Sequence, residues 1–273
     1  MTAARPGRPG VTRRTVLRLG GAAIPAAALL SRGATPAQAA PAPAALRLAE
    51  RKTSMQLTWM GHSCIRIERD GFVTVIDPGI LSAPDAADGA DALLISHRHL
   101  DHYDTSKIAA AAAARPGLPI WTNKEVAALL EQSGASSGAR VHVIGHGDAF
   151  EAGGLRVHCY GEWHAPIYPG IPQVRNTGFL IDGRLFHPGD AFTDPGVPVE
   201  LLLLQLIGFY TKTSLSADYV KQLRPSRVAP IHDATLTPAG QQGEDAVFST
   251  EPPAGLGTGI PYFRPAQGVP FEF

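Results

Sequence analysis

Apolar and polar residues alternate over 55–60 (MQLTWM) and 63–69 (SCIRIER), the period of strands buried on one face. Asp70-Gly71 predicts a hairpin turn between the second run and a third strand over 72–77 (FVTVID). The run 91–96 (DALLIS) is apolar without a break, as in a strand covered on both faces. TSKIAAAAAA, which comes after it, predicts a helix that stops near Arg115-Pro116-Gly117. LPIWT reads as a strand, and NKEVAALLEQSG as a helix with Asn123 as its cap and Gly134 just past its end. Further strands are expected over 140–144, 155–160, 177–181 and 184–187, the last two joined by Asp182-Gly183. ELLLLQL (200–206) is a second apolar core strand, SADYVKQLRP a helix, and RVAPIH a final strand. From Thr237 onward Gly and Pro are frequent and no period holds, which predicts a surface arm or lid, in part without regular structure. Two strand-rich halves, each with helices, fit two sheets packed face to face with helices outside.

The N-terminus obeys a different rule. TRRTVLRLGGAAIPAAALLSRGATPAQAA sets Arg13 and Arg14 before a weakly apolar Ala/Leu/Gly run and closes on Ala37-Gln38-Ala39, a small-x-small cleavage pattern. It reads as a twin-arginine signal peptide over 1–40, followed by a linker over 41–54. The run is too short and interrupted to span a bilayer, which takes about 20 apolar residues. The expected destination is periplasmic, cell-wall or extracellular, with the twin-arginine export machinery as a partner. Such machinery carries folded proteins, which suits a chain that loads a cofactor before it leaves the cytoplasm.

Formal net charge is zero, and no basic-aromatic block follows the first residues, which argues against a nucleic-acid partner. Two cysteines, Cys64 and Cys159, lie in apolar strand-like runs and read as buried free thiols, with a single disulfide as the alternative. No Cys-x-x-Cys pattern occurs, so a thiolate zinc site is excluded.

The chemistry is concentrated in SHRHLDHYD, 96–104, which places three of the chain's ten histidines and an aspartate within six residues. The segment joins an apolar strand to a helix, a loop held at both ends. In extended backbone His97 and His99 project to the same side, where two imidazoles hold one metal ion. Asp101 and His102 follow where the chain turns into the helix and face a second point nearby. Imidazole and carboxylate suit zinc, and also manganese or iron. Four residues do not complete a two-metal site. Three more candidates each follow an apolar strand: His164 in GEWHAPIYPG, Asp190 in FHPGDAF and His232 in VAPIHD.

HRHLDH with the later His164, Asp190 and His232 resembles the metallo-β-lactamase superfamily. TWMGHSCIRIE, VIDPG, GHGDAFEAGGLRV and HPGDAF look like its branch of ascorbate-phosphate lactonases and N-acylphosphatidylethanolamine phospholipase D. The resemblance covers about residues 55–232 and implies an α+β fold, a four-layer αββα sandwich with the site at one edge between the sheets. The catalytic domain would then span 55–236, with an arm over 237–273. It implies one metal on His97, His99 and His164, a second on Asp101, His102 and His232, and Asp190 bridging both. The β-lactamases proper lack a bridging carboxylate there, so Asp190 points away from antibiotics and towards esters of phosphate, lactones or related esters. The implied activity is that of an exported hydrolase with two divalent ions, zinc foremost, whose bridging hydroxide attacks a small-molecule or lipid-like ester while Asp101 orients it and shuttles its proton.

His62 in GHSC sits where relatives approach the site, and Tyr210 in IGFYTKT lies in a loop expected to pass beside it; both join Asp101 as candidate catalytic residues. His187 precedes the Asp190 turn and is a candidate to stand behind the metal ligands. His142, His146 and His158 read as strand-surface or turn residues, and Tyr103, Trp163 and Tyr168 as core or rim packing. Two rivals remain open: a mononuclear iron oxygenase on the same fold, using His97, His99 and Asp190, and a non-catalytic exported metal-binding protein.

Overall fold

The alternation that opens residues 54–273, the part described by the computed structural model, folds into an antiparallel meander of β1 (Gln56–Gly61), β2 (Cys64–Arg69) and β3 (Phe72–Ile76). β4 (Ala92–Ile95), β5 (Pro119–Thr122) and β6 (Arg140–Val143) then add in parallel. Parallel neighbours need a crossover, and α1 (Thr105–Ala114) and α2 (Lys124–Ser133) supply two of them. Asp104 caps α1 through Ser106 N and Lys107 N, while Asn123 caps α2 and a left-handed Gly134 ends it.

The second half repeats the plan. β7 (Ala149–Ala152), β8 (Leu155–Tyr160), β9 (Gly178–Ile181) and β10 (Leu185–His187) pair antiparallel, and β11 (Leu201–Gln205) and β12 (Arg227–Ile231) continue in parallel across α3 (Thr213–Leu223). α4 (Pro238–Ser249) follows, and β13 (Phe271–Glu272) returns to pair with β1. The sheet orders are β13-β1-β2-β3-β4-β5-β6 and β12-β11-β10-β9-β8-β7.

Strand alternation assigns the layers. Leu57, Ile67 and Leu94 of the first sheet share one core with Val157, Phe179 and Leu203 of the second. The opposite-facing Leu93 and Ile95 pack with Ile108 of α1 and Val126 of α2. Leu202 and Leu204 pack with Tyr219 of α3 and Phe248 of α4. The result is the expected α+β sandwich, helices on sheet on sheet on helices. Cys64 and Cys159 are free and buried, in different core clusters, and burial pushes the Cys159 thiol up to about 12.

The structure adds elements that the pattern missed. β7 is a four-residue edge strand, mostly exposed, so it carries no apolar alternation. α4 stands in the arm expected to lack regular structure. Thr237 caps it and Pro238 begins it, while Gly240 and Gly243 hide its helical signal. α3 starts at Thr213, earlier than the Ser216 its apolar period marks, and stops at left-handed Arg224 before Pro225. Among the described residues no helix is long and apolar enough to cross a membrane. The signal-peptide reading, and the linker reading apart from Ser54, lie outside the described residues.

Candidate metal centre

Strand ends on one edge of the two sheets deliver the polar residues. His97, His99, Asp101 and His102 fill the segment between β4 and α1, and Asp77 ends β3. His164 follows β8, Asp190 follows β10 and His232 follows β12. Their potential ligand atoms fall into two groups, each within 4.8 Å: His97, His99, His164 and Asp190, and then His62, Asp101, His102 and His232. Asp190 reaches into both. Its Oδ1 lies 3.1 Å from His102 Nε2, and its Oδ2 lies 3.0 Å from His232 Nε2, 3.3 Å from His164 Nε2 and 3.7 Å from His97 Nε2.

Hydrogen bonds fix which ring nitrogens carry protons. His102 Nδ1–H donates to Asp77 Oδ2 at 2.7 Å, His164 Nδ1–H to Ala165 O at 2.6 Å, and His232 Nδ1–H to Ile207 O at 2.5 Å. Ser96 Oγ–H donates to Asp77 Oδ2 at 2.6 Å, so the hydroxyl accepts from His97 Nδ1–H at 3.0 Å. Carboxylates and carbonyls only accept, so each Nδ1 holds its proton and each Nε2 turns a lone pair inward. His102 Nε2, His164 Nε2, His232 Nε2 and Asp190 Oδ1 are buried there without a hydrogen-bond partner. Buried polar atoms are rarely left so, and lone pairs from several imidazoles around one carboxylate need a cation. The donor set therefore fits metal ions.

The electrostatics divide the histidines into two sets. Burial holds His97 well below the ordinary imidazole range, with the neighbouring His102 adding to it, and burial takes His99 down to about 4. Burial alone would raise Asp190, but His102, His232 and His97 outweigh it and keep the carboxyl well below its usual range. Burial opposes a charged His102 or His232, yet Asp190 with Asp77 raises the first well above its ordinary value and Asp190 with Asp101 raises the second to about 9, so with no ion present a proton takes the Nε2 position that a metal would displace.

His62 behaves differently from the other histidines. It occupies the left-handed turn between β1 and β2, is buried, and accepts from Ala234 N at Nδ1 (3.3 Å). Its Nε2–H therefore donates to Asp101 Oδ2 at 3.1 Å. It orients Asp101 and has no lone pair left for an ion. His187 also points away from an ion: Nε2–H donates to Ser63 O (2.8 Å), while Nδ1 accepts from Gly189 N (3.2 Å) and braces the Asp190 turn.

Two supports escaped the sequence analysis. Asp77 binds Ser96 N, Ser96 Oγ and His102 Nδ1, and so aligns both sides of the histidine loop. Asn176 Oδ1 accepts from Asp190 N while its Nδ2 donates to Pro188 O. Both glycines at the turns are steric requirements: a Cβ on Gly79 would stand 1.9 Å from Asp101 O, and one on left-handed Gly189 would stand 2.2 Å from Asn176 Oδ1. The signal for Asp77 was present in VIDPG, a carboxylate at the end of an apolar strand before a tight turn, the placement used for Asp190. Replacing Asp77 by Ala is expected to weaken metal retention about 10- to 100-fold in chelator competition, since such partners hold ligand orientation. Retention equal to the parent chain would remove Asp77 from that role.

A cavity of ≈ 340 Å³ lies beside Asn123 and Arg175, but the one of ≈ 500 Å³ opens directly on His99, Asp101, His164, Asp190 and His232. Asp101 keeps 28% of its side chain exposed there. Tyr210 lines the same cavity with its ring 4.8 Å from His164 and 5.6 Å from His232, and its buried Oη has no hydrogen-bond partner. Burial, with Asp190 beside it, pushes that phenol well above its ordinary value, so the hydroxyl stays a donor. Tyr103 is core, Trp163 and Tyr168 are exposed, and His142, His146 and His158 are exposed on β6, a turn and β8.

Comparison with known proteins follows the same lines. The family model described as "Beta-lactamase superfamily domain" matches residues 56–232. The chain is 34% identical over 190 residues to Protein Rv0786c of Mycobacterium tuberculosis, covering 67% of this chain and 86% of that one. It is 30% identical over 216 residues to the UPF0173 metal-dependent hydrolase EAT1b_0495 of Exiguobacterium sp., covering 70% and 91%. Among solved structures it is similar to Igni18, a metallo hydrolase of Ignicoccus hospitalis, with TM-score 0.59 and 24% identity over 81% of this chain and 99% of that chain.

Proposed function

The chain belongs to the metallo-β-lactamase superfamily and is a metal-dependent hydrolase, and on that premise we propose that it works with two divalent ions and cleaves a lactone, phosphodiester or other ester of a small molecule. One observation carries this reading: three imidazole Nε2 atoms and one carboxylate oxygen converge, buried and without partners. His97, His99 and His164 would hold one ion, Asp101, His102 and His232 the other, and Asp190 would stand between them. Ions held there would make a water acidic enough to act as hydroxide near neutral pH and would offset negative charge on a substrate oxygen.

The chain's own groups complete the chemistry. Asp101, aimed by His62 Nε2–H at Oδ2, takes up a proton on its carboxylate and returns it to the leaving oxygen. Tyr210 Oη–H, free of internal partners, donates to the substrate oxygen on which charge develops. The imidazole-rich donor set fits zinc first, with manganese and iron as further candidates. The catalytic domain runs over 55–236, and the 237–273 arm braces it. Arg264 of the arm pairs with Asp233, next to His232, and with Asp245 of α4 at 2.8 Å.

The test is metal content per mature chain, purified without chelator or affinity metal, followed by turnover of lactones and phosphodiesters. About two zinc or manganese ions per chain, lost on His97→Ala together with turnover, is the expected result. A single iron with oxygen consumption would overturn it in favour of the oxygenase reading.

Export is part of the proposal and rests on Arg13-Arg14 and Ala37-Gln38-Ala39. In a host with twin-arginine export, mass spectrometry is expected to find a chain cleaved after Ala39. The double change Arg13→Lys, Arg14→Lys should retain the precursor, and unchanged processing would sink the assignment.

A further inference from the structure

The ≈ 500 Å³ cavity has two unlike sides, one of polar metal-ligand candidates and one largely apolar. Facing the metal-ligand candidates is an apolar wall made by Ile167, Ile207, Phe209 and the Tyr210 ring. No Lys or Arg lines this cavity among the described residues. A site that recognised a free carboxylate or phosphate tail would place a guanidinium or ammonium at its wall. The size is that of a pocket that encloses a small organic ligand, about 300–1,000 Å³.

The wall is held in place. His232 Nδ1–H donates to Ile207 O at 2.5 Å, and Ile207 N donates to His232 O at 3.4 Å. Gly208 lies so close that a Cβ there would meet the Tyr210 ring at 2.8 Å and His232 Cε1 at 3.2 Å. Residues 207–210 are thus clamped onto the last histidine. The clamp turns Tyr210 inward and leaves Phe209 93% exposed at the mouth. Large apolar side chains that stand open beside a polar reaction centre gain by covering themselves with the apolar part of a ligand.

We propose that the 207–210 loop selects uncharged carboxylic esters and lactones carrying an apolar chain, with Phe209 as the residue that reads chain length. This rests on the hydrolase reading above and narrows its substrate class. The scissile carbonyl lies over the metal-ligand side, and the chain lies along Ile167, Ile207 and Phe209. Water adds to the carbonyl carbon, the C–O bond to the alcohol breaks, and that oxygen takes up a proton. No other reactant is required.

Two measurements separate the inference from the reading beneath it. The metal-loaded mature chain is assayed on p-nitrophenyl acetate, butyrate, hexanoate and octanoate. kcat/KM is expected to rise by about three- to fourfold per methylene as far as hexanoate. Phe209→Ser should lower the hexanoate-to-acetate ratio about tenfold, and Ile167→Ser should lower it in the same direction. Separately, calorimetry follows butanol, hexanol and octanol binding to the metal-free chain, a readout that needs no turnover. Binding is expected to tighten with chain length and to weaken in Phe209→Ser. Turnover that ignores chain length, with no alkanol binding, would overturn the selectivity and leave the hydrolase standing. Graded alkanol binding without turnover of any ester would support the apolar subsite and overturn the ester chemistry.

Discussion

Replacing Asp190 by alanine is expected to remove metal and activity together. One carboxylate lies within 3.0 to 3.7 Å of the Nε2 atoms of His97, His102, His164 and His232, so it serves both groups of donors. Its charge is also what the surrounding imidazoles face at a buried position, where burial alone would favour the neutral acid. Breaking one partner out of a buried charged set costs about 3–5 kcal/mol, which is about two to four orders of magnitude in affinity. Metal content by plasma mass spectrometry should fall below one ion per chain, and turnover should fall to background. Asp190→Asn separates the effects. It keeps an oxygen and the hydrogen bond that the backbone N gives to Asn176 Oδ1, but loses the charge. The asparagine variant should therefore fold, match the metal-free parent in stability, and still fail to take up metal. Full activity with intact loading in either variant would remove Asp190 from the centre of the site.

The centre was legible in the sequence to an unusual degree, for a reason that lies in the fold. Parallel strands buried on both faces read as apolar runs, as in Ala92–Ile95 and Leu201–Gln205. The residues that follow such runs must leave the sheet at its edge. A histidine just past such a run is thereby placed on the rim, as His97 is after β4 and His232 after β12, while His164 past the alternating antiparallel β8 and Asp190 past the short β10 reach the same edge. The same logic could have found Asp77, since VIDPG has the form of HPGDAF shifted by a few residues. Asn176 was out of reach. Its role depends on a turn 14 residues away whose geometry no local pattern encodes. β13 was equally invisible, because two residues carry no period and its pairing partner is β1, at the far end of the described chain. His62 was found by resemblance, but its part in the site comes from tautomer logic. Only the backbone N of Ala234 on Nδ1 shows that Nε2 must donate to Asp101 and is unavailable to an ion.

Removing the metal is the second large perturbation, and it should be felt by the whole domain. The candidate ligands hang on the ends of β4, β10 and β12 and the segment after β8, so ions bound among them would tie the two sheets together at one edge. Without ions, His102 Nε2, His164 Nε2, His232 Nε2 and Asp190 Oδ1 stay buried without a well-formed hydrogen bond, a cost the folded state carries and the unfolded state does not. A ligand held at about 1,000 times its Kd stabilises the folded state by about 4 kcal/mol. For a domain of about 200 residues each kcal/mol moves Tm by about 2–4 °C. Chelation should therefore lower Tm by about 10 °C for the first ion lost, and further for the second. The two groups are enclosed alike, each with three buried members and one half-buried one, Asp101 or His99, so chelator reaches both ions from the same cavity. The control is Asp190→Ala, which should start at the lower Tm and not respond to chelator. If the parent chain carries two ions and its Tm is unchanged when they are stripped, the donor atoms do not bear on the sheets in this way, and the strand ends must be held by Asp77 and Asn176 alone.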